Sequence, residues 1–328
     1  MARFERVTLC KVWRGAVLQI SNIATFLALT GLSWGCRPLP RRVAARLGRV
    51  VGVLFLYLLP ETRRRVLAHL HLAYGGEKSA VEIGQIARRM FEHFGVSAVE
   101  ILKFHHDPPT LVLEGEEHLR AIVEAGRGGV LVTGHIGNWE LLGAELVRRG
   151  WPLHVLARAL RNERMDRWLL RLRSGFGVET IQRGEEGAAW KIRRAFREGG
   201  LIACLIDQDT KVDGAFVDFF NRKAHTPTGA VRLALRSGAS LFTAFITRLP
   251  DGRHRITVDP PIEMTRTANL SDDLAVNTAR LTTAIESQIR RAPEQWVWMH
   301  RRWKTRPEIQ ATRPEHTMPI YHADPSGT

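Results

Sequence analysis

The strongest constraint on this chain is a repeated alternation of short apolar runs and helical patterns between Leu111 and Pro293. The apolar runs, among them GVLVT, LIACLI and SLFTAFI, are bounded by glycine or polar residues, as strands buried on both faces usually are. Segments between them, such as NWELLGAELVRRG, repeat apolar residues at helical spacing and stop at glycine. Strands that alternate with helices in this way predict an α/β fold, with a mostly parallel central sheet flanked by helices.

The first quarter of the chain differs from the rest in charge. It holds twelve Lys or Arg and two acids between residues 1 and 74, and the whole chain has a formal net charge of +15. Such a bias points to an anionic partner: nucleic acid, an anionic membrane face or an acidic carrier protein.

An uncharged stretch of 22 residues, Gly15–Cys36, lies inside this basic region. About 20 apolar residues cross a bilayer, but polar residues dilute this stretch and basic residues flank both of its ends, which disfavours a simple span. We expect an N-terminal helical membrane-associating segment over residues 1–60, an α/β domain over residues 61–307 and a disordered tail over residues 308–328. A buried helix of a soluble core is the alternative for the uncharged stretch.

Several reaction types lack their usual motifs in this sequence. No P-loop, GxSxG elbow, HExxH pair or complete GxGxxG fingerprint is present, and the three cysteines are scattered. His105 and His106 precede Pro-Pro and fit a loop better than a metal site. We therefore expect no metal, no organic cofactor and no covalent enzyme intermediate.

The segment GHIGNWE joins an apolar strand to a helix and brings two ionisable residues close together in sequence. His135 follows the strand directly, and Glu140 falls in the first turn of the helix, where the helix dipole favours a carboxylate. In open α/β sheets, ligands bind at the carboxyl ends of the strands. A carboxylate on one ring nitrogen makes the other a better general base, so we expect His135 and Glu140 to form a catalytic pair. A helix-capping histidine beside an unrelated surface glutamate is the alternative.

Further polar residues follow other predicted strands or open a helix. Arg158 ends the next strand and could stabilise an oxyanion or hold a phosphate, or be a solvated surface arginine. Asp207 and Asp209 follow an apolar strand and could orient a polar headgroup, and TPTG opens a helix whose amides could bind an anion. Solvated turns and an ordinary helix cap are the alternatives. The candidate substrate-binding residues are Asn138, Asp207, Gln208, Asp209, Thr226 and Gly229.

The stretch from Pro293 to Pro307 interleaves three tryptophans with basic residues. These two kinds of side chain together are typical of a lipid–water interface or of a surface that stacks nucleic-acid bases. Tryptophans packed in the protein core are the third possibility.

Taken together, these motifs resemble those of one family, the lipid A biosynthesis acyltransferases, which include lauroyl and myristoyl transferases. This family belongs to the wider group of glycerolipid acyltransferases with an H-x4-D/E motif. The shared motifs, in the same order, are GHIGNWE, an arginine after the next strand, DQD, FVDFF followed by TPTG, and PEQWVWMHRRWKTRP. The similarity extends from about Trp13 to Pro307. Two departures are Asn221, which stands where glycine is common, and AYGGEKS, which lacks the usual proline.

The resemblance implies an enzyme at the cytoplasmic face of the inner membrane. Such an enzyme moves a fatty acyl chain from acyl carrier protein, or from acyl-CoA, to a hydroxyl group of a lipid A precursor or a related glycolipid. The resemblance implies His135 as the base, Glu140 as its partner, and Arg158 and Asp209 as polar residues of the site. It also implies direct transfer without an acyl-enzyme. Related enzymes acylate other lipids, among them phosphatidylinositol mannosides.

Two other functions are compatible with parts of the sequence. A nucleic-acid-binding protein would explain the basic charge and the Trp/Arg tract. No helix-turn-helix, zinc finger or RNP motif is present, however, and we expect no nucleic-acid partner. A lipid esterase would use the same pair of residues to activate water.

Overall fold

The computed structural model describes Gly31, Gly35 and residues 38–160 and 162–307. Apart from these two glycines, the uncharged stretch predicted to associate with a membrane lies outside the described residues, and so does the tail predicted to be disordered. In the described part of the chain, the helices are α1 (Arg41–Leu58), α2 (Pro60–Tyr74), α3 (Ala80–Lys103), α4 (Glu116–Glu124), α5 (Trp139–Arg148), α6 (Glu163–Gly175), α7 (Ala188–Arg197), α8 (Gly229–Ser237) and α9 (Leu270–Arg291). The strands are β1 (Leu111–Glu114), β2 (Gly129–Thr133), β3 (Leu153–Ala157), β4 (Glu179–Gln182), β5 (Leu201–Leu205), β6 (Gly214–Phe219), β7 (Arg222–Pro227), β8 (Ser240–Arg248) and β9 (His254–Val258).

Seven of these strands form one sheet in the order β1-β9-β8-β2-β5-β3-β4. Every neighbouring pair is parallel except β8 with β9, which run antiparallel. The α/β fold with a mostly parallel sheet, predicted from the alternation of strands and helices, is therefore confirmed. The predicted membrane segment is not tested by the described residues.

The core lies on both faces of this sheet because neighbouring residues of a strand point to opposite sides. Val130 and Val132 of β2 pack into a cluster on one face, together with residues of α8, α9 and the C-terminal tryptophans. Leu131, between them, packs into a second cluster on the other face, formed with residues of α4 and α5. All five residues of β2 are buried, as expected for a central parallel strand.

Trp296 and Trp298 belong to the first of these clusters and are completely buried. The core position, one of the three possibilities for the Pro293–Pro307 tract, is therefore confirmed for these two residues. The predicted exposure of these two rings at a lipid–water interface or against nucleic-acid bases is wrong. Their rings fill the space between α3, the sheet and the β6–β7 hairpin, where Phe219 contacts Trp296 at 5.6 Å between ring centroids.

The β6–β7 hairpin stands apart from the main sheet and was not predicted as two strands. Its two-residue turn consists of Phe220 and Asn221, which have φ angles of 52° and 55°. Left-handed backbone at both central positions is the pattern of a type I′ hairpin turn, and asparagine tolerates it better than most residues. Asn221 therefore performs the conformational task of the glycine that is common at this position in the resembled family.

Helix α1 packs tightly on α3 through glycines. A Cβ atom on Gly52 would lie 2.1 Å from the carbonyl oxygen of Phe91, and one on Gly95 would lie 2.0 Å from that of Gly48, so no larger residue fits without separating the helices. The opposite side of α1 exposes a run of large apolar side chains. These are Val43, Leu47, Val50, Leu54, Phe55, Tyr57 and Leu58.

Among the described residues, no single helix has both the length and the hydropathy needed to cross a bilayer. The bent pair of α1 and α2 meets these two requirements only when both helices are taken together, and the two axes differ by 94°.

Candidate active site

The centre of the site forms where two adjacent parallel strands end. Thr133 of β2 pairs with Leu205 of β5, so His135 and Asp207 each lie two residues beyond a matched pair. Nδ1 of His135 lies 2.7 Å from Oδ1 of Asp207, and the backbone N–H of His135 donates to Oδ2 at 2.6 Å. The register of the sheet thus brings together two residues that are 72 positions apart in sequence.

Asp207 is held as an ionised acceptor. Burial alone would raise the pKa of its carboxyl group, but the His135 ring, the indole N–H of Trp296 and the backbone N–H of His135 together hold that pKa well below its usual range. The indole N–H of Trp296 donates to Oδ2 at 2.7 Å. A carboxylate can only accept, so Nδ1 of His135 carries the proton in the neutral form of the ring, and Nε2 of that form has the lone pair.

Glu140 contacts a different partner. Its two carboxylate oxygens accept from Arg173 of α6, with Oε2 at 2.8 Å from Nε and Oε1 at 2.6 Å from Nη2. Within the described residues, no hydrogen bond joins Glu140 to His135. The predicted contact of Glu140 with the imidazole is therefore wrong. Because α5 begins at Trp139, the first turn directs Glu140 towards α6 rather than back across the corner.

Asn138 is buried behind the corner. Its side chain donates to the carbonyl oxygen of Ser97 at 3.0 Å and to Glu100 at 3.2 Å, and only 4% of the residue is exposed. Its amide is therefore engaged and enclosed, and the predicted contact of Asn138 with substrate stays a prediction. It fixes the corner to α3.

A buried polar network continues from this point. Arg248 donates to both oxygens of Glu100, at 2.9 and 2.6 Å, and to the hydroxyl group of Ser97 at 2.9 Å. His254 contacts Glu100 at 3.1 Å, and His93 contacts the carbonyl oxygen of Gly137 at 3.1 Å. The network therefore connects α3 and the strand pair β8–β9 with the backbone that carries His135.

Gly137 is required at this corner for a steric reason. It has a φ angle of 61°, and a Cβ atom there would lie 2.0 Å from the carbonyl oxygen of Ile246. Its N–H donates to the carbonyl oxygen of Gln295 at 2.8 Å, and Ile136 forms a bridge with Trp296. The corner is thus fixed from α3 on one side and from the C-terminal segment on the other.

Two of the predicted substrate-binding residues instead support the C-terminal segment. Asp209 accepts from the backbone N–H of Thr305 at 2.6 Å and from its hydroxyl group at 3.0 Å. Thr226 is 1% exposed and accepts from the fully buried Arg302. Both side chains are thus engaged with the segment that they hold, and their predicted contacts with substrate stay predictions.

Arg158 and Gly229 occupy exposed positions. Arg158 lies just after β3, and Gly229 is the first residue of α8, where a Cβ atom would meet no neighbour within 4 Å. Their roles as an oxyanion or phosphate contact and as an anion contact stay predictions.

A small apolar cavity of about 30 Å³ opens beside the corner that carries His135. The Glu140–Arg173 ion pair and the Trp139 ring lie on its wall, and this ring contacts the His135 ring at 4.9 Å between centroids. The cavity extends between α5, α6 and strands β2, β3 and β5. Its other lining residues are Leu131, Thr133, Leu142, Gly143, Leu153, Val155, Val178, Ala203 and Leu205.

Sequence reasoning missed three residues of the site: Arg173, Trp296 and His300. Arg173 is one of four arginines on α6 that look alike in sequence, and its burial follows only from tertiary packing. Trp296 and His300 belong to the aromatic and basic tract, but nothing in the sequence of that tract indicates that Trp296 contacts Asp207 or that His300 contacts His135.

Acid should destabilise the folded protein because buried histidines must stay neutral. Burial and then the charge of Arg248 lower the pKa of His93 to about 3, and burial and then His135 lower the pKa of His300 to about 4. Unfolded histidine titrates near 6.5, so between these values the unfolded chain binds more protons. We expect the free energy of unfolding to fall from about pH 6.5 towards pH 4, by up to about 1.4 kcal/mol per pH unit for each histidine.

Urea unfolding at pH 7 and pH 5 measures this slope. His93→Gln should make the slope shallower, and an unfolding free energy that does not change over this interval would contradict the account.

Comparison with known proteins identifies the family to which this fold and site belong. The family model of the bacterial lipid A biosynthesis acyltransferases matches residues 15–305. The chain belongs to this family.

Individual relatives cover different shares of the chain. The lipid A biosynthesis lauroyltransferase of Escherichia coli K12 is 30% identical over 289 residues, which are 85% of this chain and 90% of the relative. The palmitoleoyltransferase of the same organism is 28% identical over 84% of this chain and 90% of the relative. The phosphatidylinositol mannoside acyltransferase of Mycolicibacterium smegmatis is 28% identical over 57% of this chain, and the match spans 60% of that relative's length.

Proposed function

We propose that this family member transfers a fatty acyl chain from a thioester donor directly to a hydroxyl group of a glycolipid. The observation that carries the proposal is the pair of His135 and Asp207, with an ionised carboxylate on Nδ1 and a lone pair on Nε2. That lone pair belongs to a ring that is partly open to solvent, while Asp207 is completely buried.

The reaction follows from this arrangement. Nε2 of His135 takes the proton of the acceptor hydroxyl group as its oxygen attacks the thioester carbonyl carbon. Asp207 stabilises the imidazolium that forms. The tetrahedral intermediate collapses, the carbon–sulfur bond breaks, and the leaving thiolate takes the proton from the imidazolium. No step needs a protein nucleophile, and Arg158 is the proposed contact for the oxyanion.

The apolar cavity beside the corner is the proposed entry of the acyl chain. Its lining is aliphatic apart from Thr133, Trp139 and the Glu140–Arg173 pair, and at about 30 Å³ it must widen to admit a chain. A thioester whose chain lies in this cavity would present its carbonyl group next to the His135 ring. The role of the Glu140–Arg173 pair is then to form the polar rim of an apolar pocket.

The cavity offers a direct test of this assignment. A Cβ atom on Gly143 would lie 3.5 Å from Leu153 and 3.8 Å from Val178, so a side chain at this position would project into the cavity without displacing backbone. We expect Gly143→Leu to shift the preferred donor towards shorter acyl chains, with roughly a tenfold or larger change in the ratio of kcat/KM for long and short donors.

Donors of graded chain length measure this ratio. Gly84→Leu is the matched control, because Gly84 is an exposed helical glycine with open space around it. An unchanged preference in Gly143→Leu, with transfer retained, would place the acyl chain elsewhere.

The donor is proposed to be acyl carrier protein, with acyl-CoA as the other thioester. The acceptor is proposed to be a lipid A precursor or a related glycolipid. The family and the printed activities of its relatives support these two classes. The net charge of +15 suits an acidic carrier and a phosphorylated lipid.

The exposed face of α1 is proposed to lie on the cytoplasmic leaflet of the inner membrane. Val50, Leu54 and Leu58 are 57%, 51% and 69% exposed, and Arg42, Arg46 and Arg49 are exposed on the same helix. Apolar side chains beside basic ones are the composition of helices that lie in a membrane interface.

Replacing Leu54 and Leu58 with aspartate should weaken binding to vesicles that contain anionic lipid by roughly tenfold or more, since each buried leucine contributes about 1.5–3 kcal/mol. Vesicle sedimentation measures the bound fraction. Val81→Asp is the control, because Val81 is 70% exposed on α3. Equal binding of the native protein, the Leu54/Leu58 variant and Val81→Asp would show that α1 does not contact the membrane.

Purified protein with acyl carrier protein thioester and a lipid A precursor tests the proposed function. Mass spectrometry should find the acceptor heavier by one acyl group. Free fatty acid as the only product, with and without acceptor, would favour the esterase. The aromatic residues no longer argue for nucleic-acid binding, because Trp296 and Trp298 are buried and cannot stack on bases.

A further inference from the structure

Gln208 occupies the space in front of the catalytic base. Its side-chain amide nitrogen lies 2.9 Å from Nε2 and 3.2 Å from Nδ1 of His135, so it lies over the face of that ring, and it lies 2.7 Å from Nε2 of His300. One nitrogen atom therefore lies between two imidazole rings, whose centroids are 5.0 Å apart.

The hydrogen-bond roles follow from Asp207. Because Nδ1 of His135 donates to that carboxylate, Nε2 of His135 has a free lone pair and needs a donor. The amide nitrogen of Gln208 covers Nε2 of His135 from the face of the ring and donates an N–H to Nε2 of His300. In this state the amide occupies space beside the atom that must act as the base.

His300 is fixed in this position by its chain neighbours. The backbone N–H of Val297 donates to the carbonyl oxygen of His135 at 3.2 Å, and that of Arg302 donates to the carbonyl oxygen of His300 at 2.9 Å. The segment that carries His300 is thus attached to the backbone of the base itself. Burial lowers the pKa of His300 to about 4, so its ring is neutral near pH 7 and can carry its proton on either nitrogen.

We propose that the acceptor hydroxyl group replaces the Gln208 amide between the two imidazoles, donating to Nε2 of His135 and accepting from Nε2–H of His300. This inference rests on the proposed function and names the groups that seat its acceptor. The oxygen then has one hydrogen bond to each ring and one lone pair left to attack the thioester carbon. His300 shifts its proton from Nδ1 to Nε2 for this state, and the bond changes of the transfer are otherwise those described above.

Gln208 has a defined part in this exchange. Its amide lies against both rings while no acceptor is bound, and it must leave when the hydroxyl group enters. It therefore competes with the acceptor for the space between the two imidazoles.

Two amide side chains of different length, introduced in place of His300, test its role. The side-chain nitrogen of glutamine reaches about as far as Nε2, and that of asparagine only about as far as Nδ1. We expect His300→Asn to lower kcat/KM for the acceptor by roughly ten- to a hundredfold, as expected for the loss of a hydrogen bond to the reacting oxygen, with the KM of the donor unchanged. His300→Gln should recover most of this loss. Equal activity of both variants and the native protein would overturn the proposal, and so would equal loss in both when their melting temperatures match that of the native protein.

Gln208→Ala tests the competition separately. It should lower the KM of the acceptor, because the side chain that competes with the acceptor hydroxyl group has been removed. A raised KM would overturn the proposed competition. The native protein distinguishes the two levels of inference. If the native protein shows no transfer, the proposed function is contradicted. If the native protein transfers normally and the His300 variants have the same activity, only the proposed position of the acceptor hydroxyl group is contradicted.

Discussion

Replacing His135 with alanine should lower kcat for acyl transfer by roughly 10²–10⁴-fold, because the acceptor hydroxyl group then has no base to take its proton. Asp207→Asn should cause a loss of the same order. An asparagine amide can donate to Nδ1 and hold the ring with its proton on Nε2, where the lone pair is needed. Steady-state kinetics with saturating donor and acceptor measure both values.

Folding must be separated from catalysis in this experiment. Asp207 also accepts from Trp296 and from the backbone of His135, so the melting temperature of Asp207→Asn is measured beside its kcat. Asp218→Asn is the matched control, since the Asp218 side chain is 71% exposed on β6 and, among the described residues, pairs with Lys223 alone. It should keep native kcat. Near-native turnover by His135→Ala or Asp207→Asn would refute the assigned roles.

Replacing Arg248 with methionine should lower the free energy of unfolding by about 3–5 kcal/mol, because the carboxylate of Glu100 would remain buried without its main partner. Burial raises the pKa of Glu100, but Arg248 and then His254 outweigh it and hold the pKa well below its usual range. Since this network fixes Gly137 and Asn138, we also expect kcat to fall with stability.

Arg253→Met provides the comparison for this substitution. Arg253 pairs with Asp251, and both side chains are about half exposed, so its loss should change the unfolding free energy by less than about 1 kcal/mol. Chemical denaturation of the two variants gives the two values. A loss in Arg248→Met as small as that in Arg253→Met would contradict a stabilising role for the buried network.

The sheet could be predicted from sequence because its signal is local. Apolar runs such as GVLVT and LIACLI are short, bounded and separated by helical patterns, and each became a strand. The hairpin was missed because β7, with the sequence RKAHTP, has neither apolar alternation nor strand-forming composition. It is stabilised by a two-residue turn and by contacts of Phe219 and Phe220 with the core.

The partner of His135 could not be predicted because it depends on the register between two strands. Glu140 is close in sequence, whereas Asp207 becomes a neighbour only when Thr133 pairs with Leu205. The sequence did place both His135 and Asp207 at strand ends, which made each a candidate. It could not show which strands lie side by side, or that α5 directs Glu140 to Arg173.

The measurement that tests the central claim most directly is the NMR signal of the imidazole Nδ1 proton of His135 in protein labelled with nitrogen-15 in histidine. A proton held by a buried carboxylate exchanges slowly and should be visible in the native protein. It should persist in Glu140→Gln and disappear in Asp207→Asn. Persistence in Asp207→Asn together with loss in Glu140→Gln would show that the sequence-adjacent carboxylate, and not Asp207, is bound to the base.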